Sequence, residues 1–95
     1  MFTWLNKQGV ESDADFVVQF TGRFTCECRE GGRILELEVE DGVIGQQPCI
    51  NVKRDAFAGW NVAGIKHDIP EEQQLRMLQN FKDAMEFQGL HVVVY

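Results

Sequence analysis

A two-residue glycine turn constrains this chain more than any other feature. Gly31 and Gly32 lie between two runs in which apolar and polar residues alternate strictly, residues 23–29 and 34–40. Glycine adopts the positive φ that such a turn requires, so the pattern predicts an antiparallel hairpin of fixed register. A slip of one residue would bring carboxylates into the core, so one face is predicted to be buried. Three apolar pairs face each other in this register: Cys28 with Leu35, Cys26 with Leu37, and Phe24 with Val39.

The opposite face of the hairpin is acidic. Glu36, Glu38 and Glu40 lie about 7 Å apart along one strand, and Asp41 follows them. This face is either a merely solvated surface or a docking surface for a cationic protein.

Two arginines are expected to offset part of this charge. The register places Arg23 opposite Glu40 and Arg29 diagonal to Glu36. Only Glu27, which faces Glu36, is in a plainly unfavourable position.

Length and charge restrict the classes of partner. The 95 residues predict a single domain, 1–95. The net charge of −6 argues against nucleic acid and against anionic membrane surfaces, because both require a basic face. It suits a basic protein partner.

The sequence also bears on the compartment. Residues 1–5 lack the basic start and long apolar stretch of a signal peptide, and no apolar run approaches the ~20 residues that span a bilayer. Cys26, Cys28 and Cys49 are expected to be free, buried thiols of a cytoplasmic protein.

Further strands and connections follow from short apolar runs and turn residues. Besides the hairpin, strands are expected at residues 2–5, 16–20 and 49–53. Loops or connectors are expected at residues 6–15, 43–48 and 61–67. Asp41-Gly42 is expected to end the second hairpin strand in a turn, and Asp55 to cap one helical turn that aligns Phe57 with Trp60.

The last third predicts one long helix. Asp68 and Glu71 fit a capping box, and Gly89 fits a left-handed helix stop. Residues 90–95 then form a strand that is apolar on both faces and expected inside the sheet. The helix's apolar stripe is expected at Leu75, Leu78, Phe81, Lys82 and Met85. The predicted fold is therefore α+β: a mainly antiparallel β-sheet with one long C-terminal helix packed on one face, and a final C-terminal strand.

Residues that carry chemistry do not converge in the sequence. Ser12, His67 and His91 show no spacing that predicts a catalytic triad. Cys26 and Cys28 lie on a straight strand rather than in the turn that zinc sites use. No glycine-rich loop opens a helix to bind phosphate. We therefore expect no catalytic residue, cofactor or metal, and a protein that is not an enzyme.

The aromatic residues Trp4, Phe57 and Trp60 are expected in the core or at its edge. Tryptophan is nevertheless enriched at binding hot spots, and Trp60 stands in an irregular segment. Six residues are accordingly predicted to face a partner: Glu36, Glu38, Glu40, Asp41, Asp55 and Trp60.

Several segments resemble the small immunity proteins of bacterial polymorphic-toxin and contact-dependent growth inhibition systems, and together they span almost the whole chain. They are the residues 1–5, Gln8-Gly9-Val10, 16–19, 22–24, 29–31, 55–57 with Trp60, and 84–89.

This resemblance implies a cytoplasmic protein that binds one cognate toxin domain and blocks it, without catalytic residues or cofactor. The acidic charge favours a basic toxin, and therefore a nuclease. The oligomeric state is expected to be a monomer or weak homodimer. Two alternatives stay open: a small ligand-binding or enzymatic domain using His67 or His91, and a structural subunit that self-associates through the last strand.

Overall fold

The computed structural model describes residues 2–13, 15–62 and 64–95. Within these ranges the chain forms nine strands, a 3-10 turn and one α-helix. The strands are β1 (Phe2–Asn6), β2 (Gly9–Ser12), β3 (Phe16–Phe20), β4 (Thr25–Glu30), β5 (Arg33–Ile44), β6 (Gln47–Val52), β7 (Gly59–Val62), β8 (Ile65–Asp68) and β9 (His91–Val94). The 3-10 turn is Arg54–Phe57, and the helix α1 is Glu71–Phe87.

The glycine hairpin forms in the predicted register. Gly31 and Gly32 have φ of 57° and 78°, which is the left-handed region. Cys26 pairs with Leu37 and Cys28 with Leu35, and all four are buried. The alternation of the sequence thus determines which face of β4 and β5 enters the core.

The outer end of the hairpin differs from the prediction. The amide of Val39 donates a hydrogen bond of 2.9 Å to the carbonyl of Phe24, but the Phe24 side chain is 53% exposed. The cause is that β5 leaves β4 after Glu38 and pairs with β6 from Val39 onward. Val39 therefore faces Val52 in the core. The predicted opposition of Phe24 and Val39 is confirmed along the backbone, but the predicted burial of the Phe24 side chain is wrong.

The strand β5 continues through the predicted Asp41-Gly42 turn. Gly42 lies within the pairing with β6, where a Cβ atom would be 2.9 Å from Sγ of Cys49 and 2.7 Å from Nδ2 of Asn51. Here glycine permits a close approach rather than a turn. The turn comes at Gly45, with φ of 61°, so the predicted 43–48 loop is wrong.

Two predicted connectors are hairpins. Residues 6–15 contain β2, which pairs with β1 and β3, and residues 61–67 take part in the β7–β8 hairpin. The polar residues of both segments lie where the strands meet solvent: β8 is exposed throughout, and β2 buries Gly9 and Val10 but not Glu11. The polar residues of these two segments therefore indicate exposure to solvent, and not an absence of strands.

Seven strands form a curled sheet in the order β1-β2-β3-β4-β5-β6-β9. Neighbours are antiparallel except for β6 and β9, which are parallel. The β7–β8 hairpin joins through β7 to β5. The α+β class, the single helix and the final strand agree with the prediction, but β9 lies at the end of the strand order rather than inside it.

The buried face of the helix overlaps the predicted stripe only in part: Phe81 and Met85 are buried as predicted. Its buried residues are Met77, Phe81, Ala84 and Met85, whereas Leu75 is 63% exposed. The period of the stripe is helical, but the stripe is centred on Met77 and Phe81. The Phe81 ring contacts the Phe57 ring edge-on at 5.7 Å between centroids.

The ends of the helix agree only in part with the prediction. Gly89 ends it with φ of 82°, as expected, and the amide of Leu90 donates to the carbonyl of Met85. The capping box is wrong, because Asp68 belongs to β8 and Pro70 takes the N-cap position without a side-chain hydrogen bond.

Truncation of two helix residues tests this packing. We expect Met77→Ala to lower the free energy of unfolding by roughly 2–5 kcal/mol, since it leaves a cavity in the core. Leu75→Ala, the matched control on the exposed face, should change it by less than about 0.5 kcal/mol. Urea unfolding followed by circular dichroism measures both, and a larger loss from Leu75→Ala would contradict the assigned face.

Candidate functional site

The exposed face of β5 carries two of the predicted glutamates in a defined geometry. Glu36 pairs with Glu27 of β4, and Glu38 pairs with Thr25. Both glutamates are exposed, while Leu37 between them and Leu35 before them are buried. The paired strands therefore fix the spacing and direction of the two carboxylates.

These two glutamates border an open depression of about 310 Å³. Its far wall comes from the 3-10 turn, which contributes Asp55, and from the β7–β8 hairpin. We call Glu36, Glu38 and Asp55 the carboxylate rim.

Two lysines complete the edge of this depression. Lys53 precedes the 3-10 turn, and Lys66 of β8 crosses Gly59, where a Cβ atom would lie 2.6 Å from Cε of Lys66. In the part of the chain that the structure describes, no ion pair within 4.0 Å joins either lysine to the carboxylate rim. The site is thus a depression of mixed charge in which carboxylates outnumber ammonium groups.

The arginines offset the charge differently from the prediction. The guanidinium of Arg23 lies over the Phe24 ring, 5.2 Å from its centroid, in a bend that precedes β4. Nε of Arg29 lies 4.0 Å from Oε1 of Glu27. Arg29 therefore offsets Glu27 itself, the carboxylate that faces Glu36.

Glu40 and Asp41 do not belong to the carboxylate rim. Glu40 pairs with Asn51 of β6, further along the exposed face. Asp41 pairs with Ile50, and because strand side chains alternate it lies on the opposite face of β5. The prediction that Asp41 extends the glutamate row fails because it assumed that the strand ends there.

The other two predicted contact residues lie in different environments. Asp55 is exposed and borders the depression, but the 3-10 turn has no side-chain cap, so the predicted capping role is wrong. Trp60 is 2% exposed on β7, beneath the guanidinium of Arg33 at 4.7 Å from the ring centroid. Burial therefore removes Trp60 from the predicted contact surface.

Sequence reasoning missed Lys53 and Lys66 as parts of the site. Lys53 ends the strand predicted at residues 49–53, and Lys66 lies in a segment expected to be a connector. The signal for both is tertiary, because Lys53 is placed by the connection from β6 to the 3-10 turn and Lys66 by the β7–β8 hairpin.

The histidines do not meet at one site. His67 is exposed on β8, opposite Trp60, and borders a depression of about 480 Å³ with Arg33 and Asp68. His91 is exposed at the start of β9. Among the described residues, no group of three or more histidine, cysteine, aspartate or glutamate side chains is arranged to hold a metal ion.

The three cysteines are free and buried. Burial, with a smaller contribution from the charge of Glu27, raises the pKa of the Cys26 thiol to about 12. Burial also raises the pKa of Cys28, with Cys26 as the next cause. Both thiols therefore stay protonated at neutral pH and act as core side chains.

Within the described ranges, no helix has the length and apolar character needed to cross a bilayer. Comparison of the chain with protein-family models, with curated proteins and with solved structures found no match.

The raised thiol pKa values predict a pH dependence of stability. The unfolded thiol ionises near its ordinary pKa of 9.0, whereas the folded Cys26 thiol keeps its proton up to about 12. The folded state thus binds more protons in this window, and stability falls as pH rises from 9 towards 12, with a limit of about 1.4 kcal/mol per pH unit for each thiol. Urea unfolding at several pH values measures this fall.

The matched control for this experiment is Cys26→Ala. The variant is expected to be less stable at pH 7 but to lose less additional stability above pH 9, because one of the linked groups is gone. Equal slopes in variant and parent would contradict the assignment to Cys26.

Proposed function

We propose that this protein is an immunity protein, which binds a cognate bacterial toxin domain with fixed stoichiometry and neutralises it. The observation that carries the proposal is the carboxylate rim, exposed carboxylates held in register beside an open depression. The resemblance of the sequence to small immunity proteins and its net charge of −6 support the same function.

The depression suits a cationic side chain of the partner. A lysine or arginine that enters between Glu36, Glu38 and Asp55 meets three carboxylates on an ordered backbone. Sheet pairing holds the backbone of the two glutamates and the 3-10 turn holds that of Asp55, so little backbone entropy is lost on binding. An arginine can in addition form bidentate hydrogen bonds with a carboxylate.

The two lysines add selectivity to this site. Lys53 and Lys66 repel a partner that presents cations at their own positions, so only a matching arrangement of charges is accepted. The arrangement of charges allows the protein to distinguish its cognate toxin from related toxins.

A nuclease is the toxin class that the charge favours. Nucleases bind an anionic substrate and therefore carry a basic cleft. An acidic domain is attracted to such a cleft over a distance, which raises the association rate, and its presence there excludes nucleic acid.

The proposed compartment is the cytoplasm. Cys26, Cys28 and Cys49 are all reduced and buried, as is ordinary for proteins in a reducing compartment. A toxin that degrades nucleic acid also acts there, so inhibitor and target meet in the same place.

Co-expression tests the function directly. Cells that express the product of the neighbouring toxin gene should survive only when this chain is co-expressed, and the two proteins should co-purify. Failure to rescue, or turnover of a substrate by the chain alone, would overturn the proposal.

Charge reversal tests the docking surface. Glu36→Lys with Glu38→Lys moves the net charge from −6 to −2, since each reversal changes it by two. We expect the association rate with the toxin to fall about tenfold and to depend less on salt. Stopped-flow mixing at several salt concentrations measures both effects.

The matched control is Glu11→Lys with Glu86→Lys, which produces the same net charge with exposed residues of β2 and α1. Association should stay within about twofold of the parent rate if the local surface directs binding. Equal slowing in both double variants would assign the effect to net charge and remove the carboxylate rim from the interface.

A further inference from the structure

An open sheet edge exposes apolar side chains at the start of the chain. The strand β1 is the first in the sheet order and pairs with β2, so its other side is an edge. Trp4 and Leu5 of this strand are 52% and 44% exposed. The prediction that Trp4 lies in the core or at its edge is therefore wrong, and an exposed apolar edge is a site where another strand is able to pair.

Aromatic rings gather beside this edge. The ring centroid of Phe87, near the end of α1, lies 5.8 Å from that of Trp4 and 6.4 Å from that of Phe2. Phe87 is itself 41% exposed. We call Phe2, Trp4 and Phe87 the aromatic edge. Exposed large apolar groups that adjoin one another mark interaction surfaces, whereas single ones are ordinary.

The neighbouring charges indicate which partner fits. A depression of about 440 Å³ next to Trp4 is lined by Lys7, Arg23 and Asp41 among others. Basic groups outnumber acidic ones there, which disfavours the basic toxin of the proposed function. The strand β1 carries no charged residue, so two copies can approach along it without local repulsion.

We propose that the aromatic edge binds a second copy of this chain in a dimer with two-fold symmetry. The strand β1 of one copy lies antiparallel to β1 of the other, and the rings of the two copies pack together. A two-fold axis brings each patch against its own copy.

The dimer leaves the carboxylate rim accessible. Phe2 and Trp4 contact α1, which covers the inner face of the sheet, whereas Glu36 and Glu38 lie on the outer face of β5. A dimer therefore presents two carboxylate rims, and its existence does not depend on the toxin.

Analytical ultracentrifugation from micromolar to millimolar concentration tests the dimer. The parent should pass from monomer to dimer, and Trp4→Ala should weaken the association at least about tenfold. Leu75→Ala, which truncates an equally exposed side chain elsewhere, should leave it unchanged. A parent that stays monomeric throughout, or an association that Trp4→Ala does not weaken, overturns the proposal.

Discussion

The register of β4 against β5 is the constraint on which the rest of the structure depends. The two-residue glycine turn sets it, and strict alternation makes every slip costly, because a shift of one residue exchanges thiols and leucines for carboxylates. Once the register is fixed, Cys26, Cys28, Leu35 and Leu37 belong to the same hydrophobic core as the buried face of α1. The same register directs the side chains of Glu36 and Glu38 to the outer face of the sheet. Core and candidate site are thus two consequences of a single pairing.

The length of β5 decides which acidic residues act together. Its first half pairs with β4 and, at Ile34, with β7, and its second half pairs with β6. Because the strand continues without a turn through Asp41 and Gly42, its alternation also continues. Glu38 and Asp41 therefore end on opposite faces although only two residues separate them. The acidic residues between positions 36 and 41 therefore lie on two opposite faces of β5.

Features set by local sequence were predictable, and features set by tertiary packing were not. The hairpin, the strand Phe16–Phe20 and the Gly89 helix stop follow from turn chemistry and short-range pattern. The β7–β8 hairpin did not, because its strands have four residues each and join the sheet through the tertiary pairing of β7 with β5. The helix face was offset since Leu75 and Met77 are both apolar, and only docking on the sheet distinguishes them. Of the candidate site, Glu36, Glu38 and Asp55 were named from the sequence, and the burial of Trp60 agrees with its expected place in the core or at its edge. The two lysines were not predicted, because their places depend on the 3-10 turn and on β8.

The two proposed surfaces are connected through charge. Two copies of net charge −6 repel each other, and this repulsion opposes the dimer even where its contact is apolar. A basic toxin bound at the carboxylate rim neutralises part of the charge and so weakens the repulsion. Binding free energies are reciprocal, so toxin binding favours the dimer to the same extent that the dimer favours toxin binding. Added salt screens the repulsion and strengthens self-association, while it weakens the attraction between the rim and a basic cleft. The opposite response of the two contacts to salt therefore follows from one property of the chain, its net charge of −6.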